Sequence, residues 1–409
     1  MENYNTKKND HMALLFAITA FLLGAALPAS SFLLNVALGL SLICVLLNRD
    51  FKQIRNVLKN PLVLIPAFIF IAYLVSSLIM QNDYGLNLTG KYRKLLYPII
   101  LIPFFLYNRD LLDKFFQGFQ AANAIIAVIN VIAFTFNHVT GEQFPLPMNF
   151  FKEYLTQSFF FAISAFIWLI KANSQTNLQT KRIYITLALL TCFNILFILP
   201  GRIGFLALLT STAVYIILNA NVKHLIIALT LIIASSFIMV STQNRIITRT
   251  MEGVTEIKHY VESLDQPSAK DLDNTSMGFR IGIAHKAVEM IKNAPILGNG
   301  AGSFLYKTSS RNPHNEYLFM TVQFGIIGLL VFLFWLYKYY AIAWQQLPVW
   351  RNIFFIIASA YVAGCFFNSF LLDLSEGTFF IISNSALASL VLQKQNTRFD
   401  KTAYVFIKE

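Results

Sequence analysis

Three side chains combine a useful chemistry with a revealing position. His314 lies in SSRNPHNEYLF (Ser309 to Phe319), where a long polar stretch gives way to an apolar run. Arg202 stands alone between apolar runs in FILPGRIGFLAL (Phe197 to Leu208), and Arg280 opens a helical pattern in GFRIGIAHKAVEMIKNAPILGNGAGSF (Gly278 to Phe304). A neutral imidazole can take a proton from a hydroxyl. A guanidinium can grip a phosphate through two parallel hydrogen bonds. With Asn312 as N-cap and Pro313 at the first helical position, His314 and Asn315 fall in the first turn of an apolar helix, where the dipole disfavours an imidazolium. The competing reading of His314 is an interfacial imidazole that solvates a helix end, and position alone leaves the two level. For Arg202 the competitor is snorkelling to the interface. For His285, Lys286 and Lys292 a solvated helix face is the stronger reading.

The elements that must position these groups are membrane helices. Of 409 residues, 56% are hydrophobic and only 13% charged, and 39 are Phe. Apolar segments long enough to cross a hydrocarbon core of about 30 Å recur along most of the chain. The pattern predicts an all-α polytopic membrane protein of about twelve spans, near 12–27, 31–47, 62–80, 95–107, 115–136, 154–170, 183–199, 204–218, 222–241, 316–338, 352–371 and 378–393. Pro28 to Ser30 reads as a tight turn between the first two. The first run lacks a convincing cleavage site and is expected to remain as a span. Cys44, Cys192 and Cys365 lie far apart in apolar runs and read as packing residues.

Residues 242–315 form a polar loop far longer than a connection requires. Two helices are expected in it, near 244–263 and 278–293, the second with Ile281, Ala284, Val288 and Ile291 as its apolar stripe. Asp265 to Ser276 reads as a flexible linker, and Pro295 to Phe304 as the start of an irregular crossing. The domains are therefore a bundle of about nine spans (1–241), the loop (242–315), three C-terminal spans (316–393) and a tail (394–409).

The net charge of +12 is mainly topological. A cytoplasmic N-terminus places 18 of the 32 Lys and Arg on the inner side, and nine of the 14 outer ones lie in the long loop, which the positive-inside rule discounts. Both termini are thereby expected in the cytoplasm. Lys91, Arg93 and Lys94 resist this bias on the outer side, which marks them as candidate contacts for an anion. Arg202, Arg280 and His314 fall on the same side. Basic groups near an interface suit a lipid-linked diphosphate, whose head leaves water while its tail stays in the bilayer. Glycosyl transfer from such a donor needs the departing diphosphate stabilised and a hydroxyl proton removed. The sequence has no Asp-x-Asp, Walker loop, Rossmann fingerprint or Gly-x-Ser-x-Gly elbow, so no cofactor is expected and arginines are proposed in place of a cation.

The many-span layout, the Arg280 to Phe304 block and the HNEYL motif together resemble the O-antigen ligase family within the O-antigen ligase and polymerase superfamily. The resemblance implies a GT-C-like glycosyltransferase in the bacterial inner membrane with its active site facing the periplasm. It implies transfer of a polysaccharide from undecaprenyl diphosphate to a lipid A-core sugar, inverting and metal-independent. Arg202 and Arg280 look like the family's essential arginines and His314 like its essential histidine, with Asn315 and Tyr317 as candidate substrate contacts. The chain departs from relatives in reading Gly201-Arg202-Ile203-Gly204 where Ser-Arg-Gly is common, and Ala284 where a Trp is usual. A polymerase extending the carrier-linked glycan is the nearest alternative. A lipid-linked glycan transporter is the alternative from another class; it should show broken helices or charges inside spans, and the sequence shows neither clearly.

Overall fold

The computed structural model describes residues 2–49, 54–81, 83–144, 150–219, 248, 251–258, 276–308 and 310–406, and among them there is helix but no strand. In chain order the helices are α1 (Glu2–Ala29), α2 (Ser31–Asn48), α3 (Ile54–Leu58), α4 (Pro61–Met80), α5 (Asp83–Tyr92), α6 (Pro98–Leu106), α7 (Asp110–Thr140), α8 (Tyr154–Asn173), α9 (Leu178–Phe193), α10 (Arg202–Asn219), α11 (Ser276–Asn293), α12 (Ser303–Thr308), α13 (Glu316–Trp344), α14 (Pro348–Cys365) and α15 (Leu374–Phe406). A short helix at 251–258 falls within the first helix expected in the long loop. The rest of that expected helix, apart from Thr248, lies outside the described residues, as do the expected span at 222–241 and most of the linker.

Among the described residues, ten helices are long and apolar enough to cross a membrane: α1 from Asp10, α2, α4, α7, α8, α9 with its π-helical extension to Ile198, α10, α13, α14 and α15 as far as Lys394. The expected fourth span, 95–107, is not a continuous crossing helix. A 3-10 turn at Arg93–Leu96 separates α5 from α6, and α6 has nine residues, about 14 Å of rise. Pro98 and Pro103 each remove a backbone donor, and Lys94 turns inward instead of facing solvent. Such a break is tolerated where protein covers it, and Lys94, Leu95 and Pro98 are buried. At the other end of the chain, α15 continues as helix through the expected tail to Phe406.

Close helix crossings hold the bundle together. A Cβ on Gly24 would sit 1.9 Å from the Phe115 carbonyl oxygen, and one on Gly118 would sit 2.0 Å from that of Phe21. The backbones of α1 and α7 therefore touch, as small residues permit between membrane helices. α8 and α15 are the most enclosed spans, with 78% and 83% of their crossing windows buried against 22% for α2 and α10. Helix ends are in register. Lys152 reaches Ser31 Oγ, and Thr156 at the start of α8 donates to Glu376 at the start of α15. At the opposite end, Asn352 donates to Asn219. Pro28 lies inside α1, and the turn narrows to Ser30, whose hydroxyl accepts from Leu33 N to cap α2.

The glycine-rich block has a specific packing role. α13 is broken at Gly325 (φ 63°, ψ −162°), and Pro295 to Gly302 lies in the break. Asn299 N donates to Val322 O at 2.8 Å, Gly300 N to Gln323 O at 2.9 Å, and Ile326 N to Pro295 O at 2.9 Å. A Cβ on Gly298 (φ +75°) would lie 2.4 Å from the Gln323 carbonyl, and one on Gly325 2.1 Å from that of Ile296. The sequence pattern suggested an irregular crossing here; the structure shows a backbone clamp that satisfies the groups freed by the kink. It also corrects the expectation of unbroken spans.

The buried face of α11 differs from the expected stripe. Ile283, Ala287 and Met290 are buried, whereas Val288 is 39% exposed. Apolar residues lie on two adjacent faces of this helix, and packing against α13 selects between them.

Candidate active site

His314 does not sit in the first helical turn. α13 begins at Glu316, and Asn315 is its N-cap, accepting from Leu318 N at 2.9 Å. Asn312, expected as the cap, instead accepts from His314 N at 2.8 Å in a tight local turn and from the Ser369 hydroxyl. His314 itself is left-handed, with φ 51°, an uncommon backbone state for a residue other than glycine. The first site for the helix dipole is thus Glu316, whose carboxylate suits a helix start. What disfavours the imidazolium is burial first and the Arg280 charge second; both hold His314 below its usual range, against a hydrogen bond with Asn368.

Arg280 lies in the second turn of α11, beyond its N-terminus, and its Nη1 donates to Phe367 O at 3.5 Å. Burial works against its charge, Arg202 adds to that, and Tyr154 opposes. The three groups expected from separate stretches, His314, Arg280 and Arg202, are therefore brought together at one end of the bundle. The two guanidiniums raise each other's energy, and an anion between them would remove that cost. Arg202 opens α10. The flanking glycines serve packing: a Cβ on Gly201 would meet Ser158 Oγ at 2.7 Å, and one on Gly204 would meet Ser158 Cβ at 2.2 Å. α10 is thereby seated on α8 with Arg202 at the rim.

The turn between α14 and α15, residues 366–373, gathers most of the remaining contacts. Asn315 Nδ2 donates to Phe366 O at 3.1 Å, and Tyr317 OH to Val362 O at 2.9 Å, its ring 4.5 Å from that of Phe366. Both residues thus fasten the start of α13 to the end of α14. Lys94 comes from the other side, buried, with its ammonium on the carbonyls of Leu372 and Asp373. Lys91 and Arg93 are exposed, and Arg93 lines a cavity of about 240 Å³ with Asn35, Leu38 and Tyr97. The basic cluster therefore divides, one member holding the turn from within and two facing outward.

Sequence reasoning passed over four polar residues here. Glu316 is fully buried, accepting from Leu371 N at 3.0 Å and from Tyr92 OH at 3.3 Å. Asn368 faces His314 and donates to Asp373 Oδ2 at 2.7 Å. Glu376 accepts from Thr156. Burial, and then Glu376, push the Asp373 carboxyl upward, with Lys94 opposing. A signal existed: FFNSFLLDLSEGTF, Phe366 to Phe379, places two carboxylates and an amide in an apolar run, where each is costly unless it is paired or used.

A family model described as O-antigen ligase matches residues 187–333. No curated protein matches the chain. The matched segment holds Arg202, the loop helix with Arg280, the glycine clamp and His314. The match makes this part of a multi-pass helical membrane protein similar to the O-antigen ligase family.

Proposed function

We propose that this protein is an O-antigen ligase that transfers a polysaccharide from undecaprenyl diphosphate to a sugar hydroxyl of lipid A-core at the periplasmic face of the inner membrane, with both termini in the cytoplasm. The observation that carries the reading is a neutral-leaning imidazole beside the Arg280 guanidinium, which in turn feels that of Arg202, at one end of a membrane bundle. The acceptor oxygen attacks the anomeric carbon from the face opposite the diphosphate, which inverts that centre. The carbon–oxygen bond to the diphosphate breaks, and its electron pair leaves with the phosphate oxygen. His314 takes the hydroxyl proton, and Arg202 and Arg280 hold the leaving diphosphate, a role that fixed cations fill without needing a metal. Lys91 and Arg93 are placed to meet an anionic head group at the surface, with Asn315 and Tyr317 shaping the acceptor side through the turn they hold.

The test is purified protein with an undecaprenyl diphosphate glycan and lipid A-core, in the presence of a chelator. Glycan on lipid A-core supports ligation. Longer glycan on the carrier assigns polymerisation, and the absence of both products would return the protein to the transporter class, which the break in α13 suits. His314→Ala should abolish transfer while the protein still inserts, and capped lipopolysaccharide from that variant would remove His314 from the reaction.

A further inference from the structure

Which imidazole nitrogen carries the proton decides whether His314 can meet a hydroxyl with a lone pair. Its Nδ1 lies 3.3 Å from Asn368 Oδ1, and Asn368 Nδ2 donates to Asp373 Oδ2 at 2.7 Å. An amide nitrogen only donates, whereas a carboxyl keeps an accepting oxygen whether it is ionised or, as burial favours for Asp373, neutral. The Asp373 contact therefore matches the orientation of the amide in which the nitrogen faces the carboxyl and the oxygen faces the imidazole. An acceptor at Nδ1 calls for a proton there, which leaves Nε2 bare.

We infer that Asn368, oriented by Asp373, is a positioning residue that fixes His314 in its Nδ1-protonated tautomer and so presents Nε2 to the acceptor hydroxyl. The inference rests on the reading of His314 as the base. Both sides of the contact are anchored. On one side, Asn368 N donates to Gly364 O at 2.9 Å, Asp373 N to Ser369 O at 3.1 Å, and Lys94 grips the Asp373 carbonyl. On the other, Asn312 holds His314 N, and the left-handed backbone of His314 fixes the direction of its ring. Ser369 joins the two sides through Asn312. A carboxylate placed directly on Nδ1 would also raise the basicity of the imidazole. A neutral amide sets the tautomer with a weaker pull, in keeping with an imidazole that stays uncharged beside Arg280.

The experiment reads the tautomer without substrate. Protein labelled with ¹⁵N-histidine is compared with His314→Gln at mildly alkaline pH to assign the His314 ring nitrogens. The expected spectrum has Nδ1 protonated and Nε2 bare, the reverse of the form free histidine prefers in water. Asn368→Leu should shift His314 toward the Nε2-protonated form. It should lower kcat about 10- to 100-fold, a part of what a correctly presented general base supplies. KM for donor and acceptor should stay within about twofold, since neither is held by the amide. Asp373→Asn should lower kcat as well, by freeing the amide to turn over. The exchange variant, Asn368→Asp with Asp373→Asn, keeps an acceptor on Nδ1 and a donor behind it, and should restore both the tautomer and most of kcat. A bare Nδ1 in the native protein, an unchanged tautomer in Asn368→Leu, or an exchange variant that is folded but not restored would overturn the inference. Activity surviving in His314→Ala would instead defeat the reading of the base, while the spectrum still decides what Asn368 does.

Discussion

Gly298→Ala tests the clamp that ties the long loop to the broken helix. Gly298 has φ +75°, and its added Cβ would fall 2.4 Å from the backbone carbon and oxygen of Gln323, where the neighbour is backbone and cannot swing aside. The left-handed conformation alone costs alanine about 1 kcal/mol. Lifting the segment to clear the contact would break the bonds from Asn299 N to Val322 O and from Gly300 N to Gln323 O. At about 1 kcal/mol net for each bond, the local cost comes to about 3 kcal/mol. That corresponds to opening of the segment about 10²-fold more often. Hydrogen exchange read by mass spectrometry should show the loss of protection at residues 299 and 300, and transfer should fall because this segment connects the helix of Arg280 to the His314 turn. Gly90→Ala is the control. Gly90 is exposed in α5 with nothing within 4 Å of a Cβ, so alanine there should be neutral or stabilising by up to about 1 kcal/mol. A folded Gly298→Ala protein with native protection at 299 and 300 would refute the packing argument.

The acid limb of the kcat/KM profile should fall below the ordinary histidine range, because burial and then Arg280 hold His314 low and only its neutral form accepts a proton. Arg280→Gln removes one of the lowering influences, so the limb should move to higher pH in whatever activity remains; a limb that stays in place would show the two groups uncoupled. Asn315→Ala removes the cap of α13 and should cost about 1 kcal/mol, seen as a lower midpoint of thermal unfolding, while also loosening the contact to Phe366. Gly118→Val forces α1 and α7 apart, because even a Cβ there lies 2.0 Å from Phe21 O; the expected result is poor insertion and a lower Tm, against little change for valine at exposed Gly39, where nothing lies within 4 Å.

Much was legible without the fold. Hydropathy located all ten crossing helices found among the described residues, since the requirement for about 20 apolar residues is a property of each segment alone. The capacity of His314 to act as a base and of Arg202 and Arg280 to hold an anion is equally local, being a property of imidazole and guanidinium. The errors have a common origin in contacts between distant residues. Asn312 and Asn315 are both competent caps, and Asn312 was diverted by Ser369, 57 positions away. The glycines near Arg202 and those of Pro295 to Phe304 signalled close approach but not to what, because Ser158, Gln323 and Ile296 come from other helices. The broken fourth span follows from Lys94 meeting carbonyls 278 and 279 residues later.

The sequence by itself determined that this is a helical membrane protein whose polar loop ends on a histidine, because transfer free energy and side-chain chemistry are written residue by residue. Only the tertiary structure decided that Arg202, Arg280 and His314 share one end of the bundle, that a glycine clamp seats the loop in a kinked span, and that Asn368 and Asp373 stand behind the imidazole. The physical reason is that burial, electrostatic coupling and hydrogen-bond direction depend on which surfaces meet, and backbone packing between helices selects that.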